Sequence, residues 1–476
     1  MLRGLFWFRS DLRLKDNAAL SYACKHCDEL ALVYFYNPND TSPWKIGSAS
    51  KWWLHHSLSA LHKALNSKQH ELQIIIADPS KSLEKICQKN NISHVFWNRL
   101  YEPSHIERDK NIKTSLSNNG IKVKSFNASL LYEPWEISKP DGTPYKIFTP
   151  FWNKVQKRGL DLKLISPIRD FSNTLEIEAK TKFEDSLSKC NLLPNINWDK
   201  QFNHYWQPGE PGAQKQLKIF FNNGLDHYKT GRDFPAENFT SRVSPYLHFG
   251  EISSRQILAA ANKQANTEQS ISYVRQIVWR EFAHHLLYHF PDTSTEPLYR
   301  KYTRFPWQKK HENNLTAWQK GETGIPIVDA GMRELWHTGW MHNRVRMLVG
   351  SLLTKNLLIP WQLGSQWFWD TLVDADLANN TMGWQWIAGC GADAAPYYRI
   401  FNPVLQSKKF DSEGTYIRKW VPELNALPSK LIHAPWELTK EELLHHNITL
   451  GKDYPKPIID LKISRERALK AYDKIK

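Results

Sequence analysis

Over residues 1 to about 130, short apolar runs alternate with amphipathic stretches. Gly4 to Phe8, Ala31 to Tyr36, Gln73 to Ile76 and His94 to Trp97 are nearly continuous apolar runs, the pattern of strands buried on both faces. Between them, stretches such as Ser50 to Leu65 have apolar residues at helical spacing. Strands alternating with helices predict a Rossmann-like α/β domain with a parallel sheet. The turn after Phe8 reads Arg9-Ser10-Asp11, without G-x-G-x-x-G, so no dinucleotide pyrophosphate is expected there.

From about 131 to 200 this pattern breaks into turns such as Lys139-Pro140-Asp141-Gly142 and Leu193-Pro194-Asn195, which predict a long connector wrapping across both domains. Beyond residue 200 helical spacing takes over, as with Val328, Met332, Leu335 and Trp336. The expected organisation is an α/β domain over 1–130, a connector over 131–200 and a mostly α-helical C-terminal domain over 201–476. There is no internal repeat, and the charged segment from Ile463 to Lys476 reads as a solvated helix rather than a binding arm.

Charge and composition narrow the function. Among 476 residues, 63 Lys and Arg oppose 48 Asp and Glu, a formal charge of +15, which predicts a polyanionic partner. Arg9, Asp11 and Arg13 stand where a signal peptide needs apolar residues, and no run is long enough to span a bilayer, so a soluble cytoplasmic protein is expected. The five cysteines are scattered, and the lone Cys24-x-x-Cys27 pair lacks the second half of a zinc site, so neither a disulfide framework nor a metal is expected. Ten of the 21 tryptophans fall between Trp279 and Trp386, which marks a region for binding flat rings.

Several stretches beyond residue 200 could carry chemistry. Thr240, Ser241, Arg242, Val243 and Ser244 precede a probable helix; hydroxyls, backbone N–H groups and one Arg suit a pyrophosphate, although a Ser/Thr helix cap is the commoner use. Gln276, Trp279 and Arg280 share a helical face suited to stacking and hydrogen bonding. Asn343, Arg346 and Met347 share another, with Arg344 turned aside, and buried arginines would need Asp374 or Asp376 as partners. Asp374 to Asn380 followed by Trp384 and Trp386 gathers carboxylates, amides and indoles with no histidine at ligand spacing, which fits a polar wall round a heteroaromatic cofactor better than a metal. Gln406, Lys408 and Lys409 read as a polar loop suited to phosphate.

Taken together, WFRSDLRLKDN (7 to 17), TSRVSPYLHFGEIS (240 to 253), WREF (279 to 282), TGIPIVDAGMR (323 to 333), TGWMHNRVRM (338 to 347), DADLANN (374 to 380), GWQW (383 to 386) and FNP…KKFD (401 to 411) resemble the photolyase/cryptochrome family. The pattern is most similar to bacterial cyclobutane pyrimidine dimer photolyases. The resemblance implies a light-dependent DNA repair enzyme, a carbon–carbon lyase acting on UV-damaged DNA and expected to be a monomer. An α/β antenna domain would precede a helical domain holding FAD, active as FADH⁻, beside a cavity for a flipped-out dimer. It further implies that Tyr228, Thr240, Ser241, Arg242, Val243, Ser244, Arg280, Arg346, Asp374, Ala375, Asp376 and Asn380 hold the flavin. Trp279 and Trp386 would clamp the dimer beside Asn343 and Met347, and Gln276, Asn343 and Asn380 are the candidate catalytic side chains. Arg232, Arg344, Gln406 and Lys409 would meet the DNA backbone, and Trp384, Trp361 and Trp307 would carry electrons from the surface to an oxidised flavin.

This chain departs from the family pattern at two places. Gln276 stands where such photolyases usually have a glutamate, so a hydrogen bond to the dimer is retained but no proton can be given. Ser104-His105 follows Tyr101-Glu102-Pro103 without the Asn-Glu pair of the best-known folate-binding members, so the antenna is open between methenyltetrahydrofolate, an 8-hydroxy-deazaflavin and none. The rival reading is a cryptochrome-type blue-light receptor with the same FAD site and no repair. Plant-type cryptochromes carry Asp at the position of Asn380, and the chain is expected to lack their long tail. A (6-4) photolyase would need a histidine pair where His342-Asn343 stands, and a plain basic DNA-binding protein would not explain the Trp, Asp and Asn cluster.

Overall fold

The four apolar runs lie in β1 (Arg3–Phe8), β2 (Glu29–Tyr36), β3 (Gln73–Ile76) and β4 (His94–Asn98). Two further strands, β5 (Lys122–Phe126) and β6 (Asn173–Thr174), do not show in that pattern. β5 is an edge strand with Lys122 exposed, so no continuous apolar run is required of it. The structure, a computed structural model, describes every residue except 161, 169–170, 178–180, 265–266 and 395–397.

All strand pairs are parallel, in the order β3-β2-β1-β4-β5, with β6 added to β2. The crossovers are α1 (Ala18–His26), α2 (Ser48–Asn66), α3 (Pro79–Lys89) and α4 (Pro103–Asn118). The order reverses between β1 and β4, where open α/β sheets usually bind ligands. Here protein side chains fill that position. The buried Arg9 guanidinium donates to Asp109 and to the Asn98 carbonyl, and the Asn98 amide donates to buried Asp11.

The chain forms two compact units, one of Met1–Asn197, Trp206–Asn223 and Ser241–Pro291, the other of Trp198–Tyr205, Gly224–Thr240 and Asp292–Lys476. The first joins the sheet to helices Phe148–Arg158 and Glu268–His289. The stretch between 131 and 200 is more structured than a turn-rich connector, since it holds β6, helix Phe148–Arg158 and helix Phe183–Lys189.

The second unit packs helices Pro326–Thr338, Asn343–Ser351, Trp361–Thr371 and Leu377–Ala388 around Trp318, Val349, Leu353 and Phe368. Gly364 permits the close approach, because a Cβ there would lie 2.1 Å from the Trp384 ring. Val328, Met332 and Leu335 are buried as their spacing predicts, whereas Trp336 is 40% exposed and stacks parallel to Trp367. The last helix, Leu461–Asp473, is not solvated all round. It buries Ser464, Ala468 and Ala471, and the Asn356 amide donates to Ser464 at 2.8 Å. Among the described residues no helix is long and apolar enough to cross a membrane.

In the first unit Glu251 is fully buried and accepts from Trp53 Nε1 at 3.1 Å and from the Gly209 N–H. Burial pushes its carboxyl from 4.5 up to about 8. The folded chain therefore keeps a proton that the unfolded chain releases, and this group's stabilisation is lost as pH rises from about 4.5 to about 8. Chemical denaturation from about pH 5 to about pH 9 should show the stability gap between wild type and Glu251→Gln shifting by about 1.4 kcal/mol per pH unit below pH 8. A constant gap would show that Glu251 is ionised throughout.

Candidate functional site

In the second unit, two helix starts carry most of the candidate residues. Helix Asn343–Ser351 opens at His342, whose Nδ1 accepts from the Arg344 N–H at 3.2 Å. Burial holds His342 at about 4, so the ring is neutral and that lone pair is available as a cap. Arg346, on the inward side of the same turn, donates from Nη2 to both Asp374 oxygens at 3.1 and 2.9 Å and from Nε to the Met341 carbonyl at 2.8 Å. The Asp374 side chain is only 4% exposed, so it needs such a partner.

Of the two carboxylates expected to pair with arginine, only Asp374 does so with Arg346. Asp376 caps helix Leu377–Ala388, accepting from the Asn379 N–H at 2.8 Å. One turn into that helix the Asn380 amide donates to the carbonyl and the hydroxyl of Ser365, each at 3.0 Å. Both amide protons are engaged, which directs Oδ1 away from Ser365. Trp386 is anchored by Nε1 to the Asp393 carbonyl at 3.1 Å. Asn343 is exposed, with its amide 4.0 Å from the Met347 sulfur.

Trp361 and Trp384 are each 2% exposed, and Trp307 is partly buried. The ring contacts of Trp384 are with Phe368 at 5.0 Å and Trp318 at 6.2 Å, and that of Trp307 is with Phe305 at 4.5 Å. Trp318 and Phe368 lie outside the expected motifs, and helical periodicity marks them only as core.

Arg344, Gln406 and Lys409 line one cleft of the second unit. Gln406, Lys408 and Lys409 sit on a helix, Pro403–Phe410, rather than in a loop. Asn402 caps it by accepting from the Leu405 N–H, and Pro403 takes the first helical position. Arg344 pairs with Asp233 at 2.6 Å and lies 4.3 Å over the Phe410 ring. Asp233 was not among the expected residues, although its place beside Arg232 was a readable signal. Arg232 lies 5.9 Å from the ring centre of Tyr228, which is buried.

The first unit carries the remaining candidates except Thr240, which ends a segment of the second. In the 240–244 stretch, Arg242 adopts φ of 51° and stands 4.7 Å over Trp206. The following helix, Ser244–His248, starts from Val243 with no side-chain cap hydrogen bond, so the cap reading of this stretch fails. Gln276, Trp279 and Arg280 fall on one face of helix Glu268–His289, all partly exposed. Trp279 stacks on Phe148 at 3.6 Å and 8°, a partner that no local spacing predicts. Arg280 donates to the Ser129 carbonyl at 2.9 Å and pairs with Glu281 at 3.5 Å.

The first unit is thus an all-parallel α/β fold, and the second is a helical fold that holds an Arg–Asp pair and many indoles. The family model for DNA photolyase matches residues 4–169, and that for the FAD binding domain of DNA photolyase matches 273–474. The chain is 43% identical to a deoxyribodipyrimidine photo-lyase of Agrobacterium fabrum, over 99% of this chain and 98% of that protein. Cryptochrome-2 of Arabidopsis thaliana is 37% identical, with 98% of this chain and 78% of that protein aligned. The crystal structure of a bacterial class III photolyase from Agrobacterium tumefaciens matches with a TM-score of 0.94 at 42% identity, covering 100% of this chain and 98% of that one. The chain belongs to the DNA photolyase family.

The second unit's residues fit FAD. Helix Leu377–Ala388 carries two buried polar atoms without a protein hydrogen-bond partner, Thr381 Oγ1 and Trp384 Nε1, next to Asn380. Such atoms suit a helix bordering a polar ring system.

Because His342 positions the turn that bears Asn343 and Arg346, His342→Ala should lower stability by about 1 kcal/mol, and His342→Asn, which keeps an acceptor at the cap, should restore most of it. Denaturant midpoints at an unchanged m-value provide the measurement.

Proposed function

We propose that this protein is a light-dependent DNA repair enzyme that splits cyclobutane pyrimidine dimers in UV-damaged DNA. The observation that carries the reading is the Arg346–Asp374 pair, inside the span matched by the FAD binding domain of DNA photolyase. When bound, reduced FAD would supply the light-driven one-electron chemistry that opening a cyclobutane ring requires.

The protein's own task is binding, orientation and electrostatics. In this reading Tyr228, Thr240 to Ser244, Arg280, Arg346, Asp374 to Asp376 and Asn380 hold FAD. Arg346 keeps a positive charge near the flavin while Asp374 prevents that charge from being left buried alone. Trp279 and Trp386 offer flat faces for the extruded dimer, with Gln276, Asn343 and Met347 beside them. Extrusion costs a few kcal/mol and is cheapest at a damaged, poorly stacked pair. Arg232, Arg344, Gln406 and Lys409 bind backbone phosphates, and Trp307, Trp361 and Trp384 relay electrons to an oxidised flavin.

The similarity to cryptochromes favours photoreception as the second reading. Asn380 argues against it, because an amide whose N–H groups are engaged with Ser365 has no acidic proton to deliver. The deciding experiment incubates the reduced holoprotein with dimer-containing duplex and counts lesions after blue light and after darkness. Repair confined to the illuminated sample is expected; equal lesion counts would support the receptor. In the same assay Gln276→Glu should raise the repair yield per photon, since a carboxylic acid can donate the proton that an amide lacks.

A further inference from the structure

The cleft that gathers Arg344, Gln406 and Lys409 has a volume of about 840 Å³ and extends further than the DNA-contact residues named so far. Lys229, Arg399 and Arg465 also line it, so its walls carry five cations drawn from well-separated stretches of sequence. The one carboxylate in the lining, Asp233, is engaged by Arg344. Like charges gathered in one cleft repel one another, and a polyanion bound there offsets that cost. The lining also contains Phe401, Leu405 and Phe410, with Leu405 63% exposed. A broad groove with dispersed cations and apolar side chains between them matches a sugar–phosphate strand rather than a single small anion, which would need donors converging on one point.

Arg465 is the unexpected member, because it comes from the last helix. That helix is docked firmly. Ser464, Ala468 and Ala471 are buried along one side, and Arg467 Nη2 donates to the Asn356 carbonyl at 2.5 Å. With this side anchored, Arg465 and Leu469, one turn apart, are presented to the cleft. Lys470, exposed on the same helix, does not line it.

We infer that the C-terminal helix forms one wall of the DNA groove and that Arg465 contacts a backbone phosphate, lengthening the footprint beyond Arg344, Gln406 and Lys409. The inference rests on the repair reading above. Its test measures binding of a labelled duplex containing one dimer to the holoprotein between roughly 50 and 200 mM salt. Arg465→Ala should weaken binding and flatten the plot of log affinity against log salt by about 0.9, the value of one phosphate contact. Lys470→Ala should leave the slope at the wild-type value. Repair per photon at saturating DNA should be unchanged in Lys470→Ala, which lies outside the cleft lining. Equal slopes for Arg465→Ala and Lys470→Ala, with wild type still binding and repairing, would overturn the inference while leaving the repair reading intact. A wild-type protein that neither binds the lesion duplex nor repairs it in light would overturn both.

Discussion

The second unit depends on one constraint: a guanidinium and a carboxylate withdrawn from water must find each other. Arg346 sits in the first turn of its helix, and Asp374 lies two residues before the cap of another. Their pairing, with the Arg346 Nε bond to Met341, ties two helix starts and a loop to one point. Asp376 then starts helix Leu377–Ala388, which sets where Asn380 and Trp384 emerge. A displaced pair would move polar groups that have to be positioned to within a fraction of an ångström to serve a bound ring.

The distribution of polar partners around that point separates two chemistries that the same fold can run. Asn380 is held as an acceptor by giving its amide protons to Ser365. It can hydrogen-bond a cofactor, but it cannot act as an acid at ordinary pH. His342, neutral because it is buried, likewise serves as a lone-pair acceptor rather than a charge. Neither Asn380 nor the Nδ1 of His342 offers an acidic proton, and the proton of the neutral His342 ring stays on Nε2.

The first unit shows the opposite use of buried charge. At the sheet's switch point the buried Arg9 guanidinium donates to Asp109 and to the Asn98 carbonyl, and the Asn98 amide donates to Asp11. Elsewhere in that unit Arg280 and Glu281 are committed largely to the chain itself, with Glu281 accepting from the Leu131 N–H at 2.7 Å.

What could be read from the sequence was whatever local periodicity or a dense motif encodes. The central strands announced themselves because strands buried on both faces must be apolar throughout, and the inward stripe of helix Pro326–Thr338 followed from its spacing. The candidate residues were legible as a group because their motifs are crowded with indoles, amides and charges. What only tertiary structure decided was grouping across long separations: Asp374 rather than Asp376 for Arg346, Phe148 beneath Trp279, Ser365 behind Asn380, and Arg465 in the same cleft as Lys409. An edge strand and an uncapped five-residue helix escaped for the same reason, whereas helix Pro403–Phe410 begins on a local Asn402-Pro403 signal that the polar reading of the stretch passed over. The strand and the short helix are fixed by contacts with distant residues, and a one-dimensional pattern holds no information about which distant residue arrives.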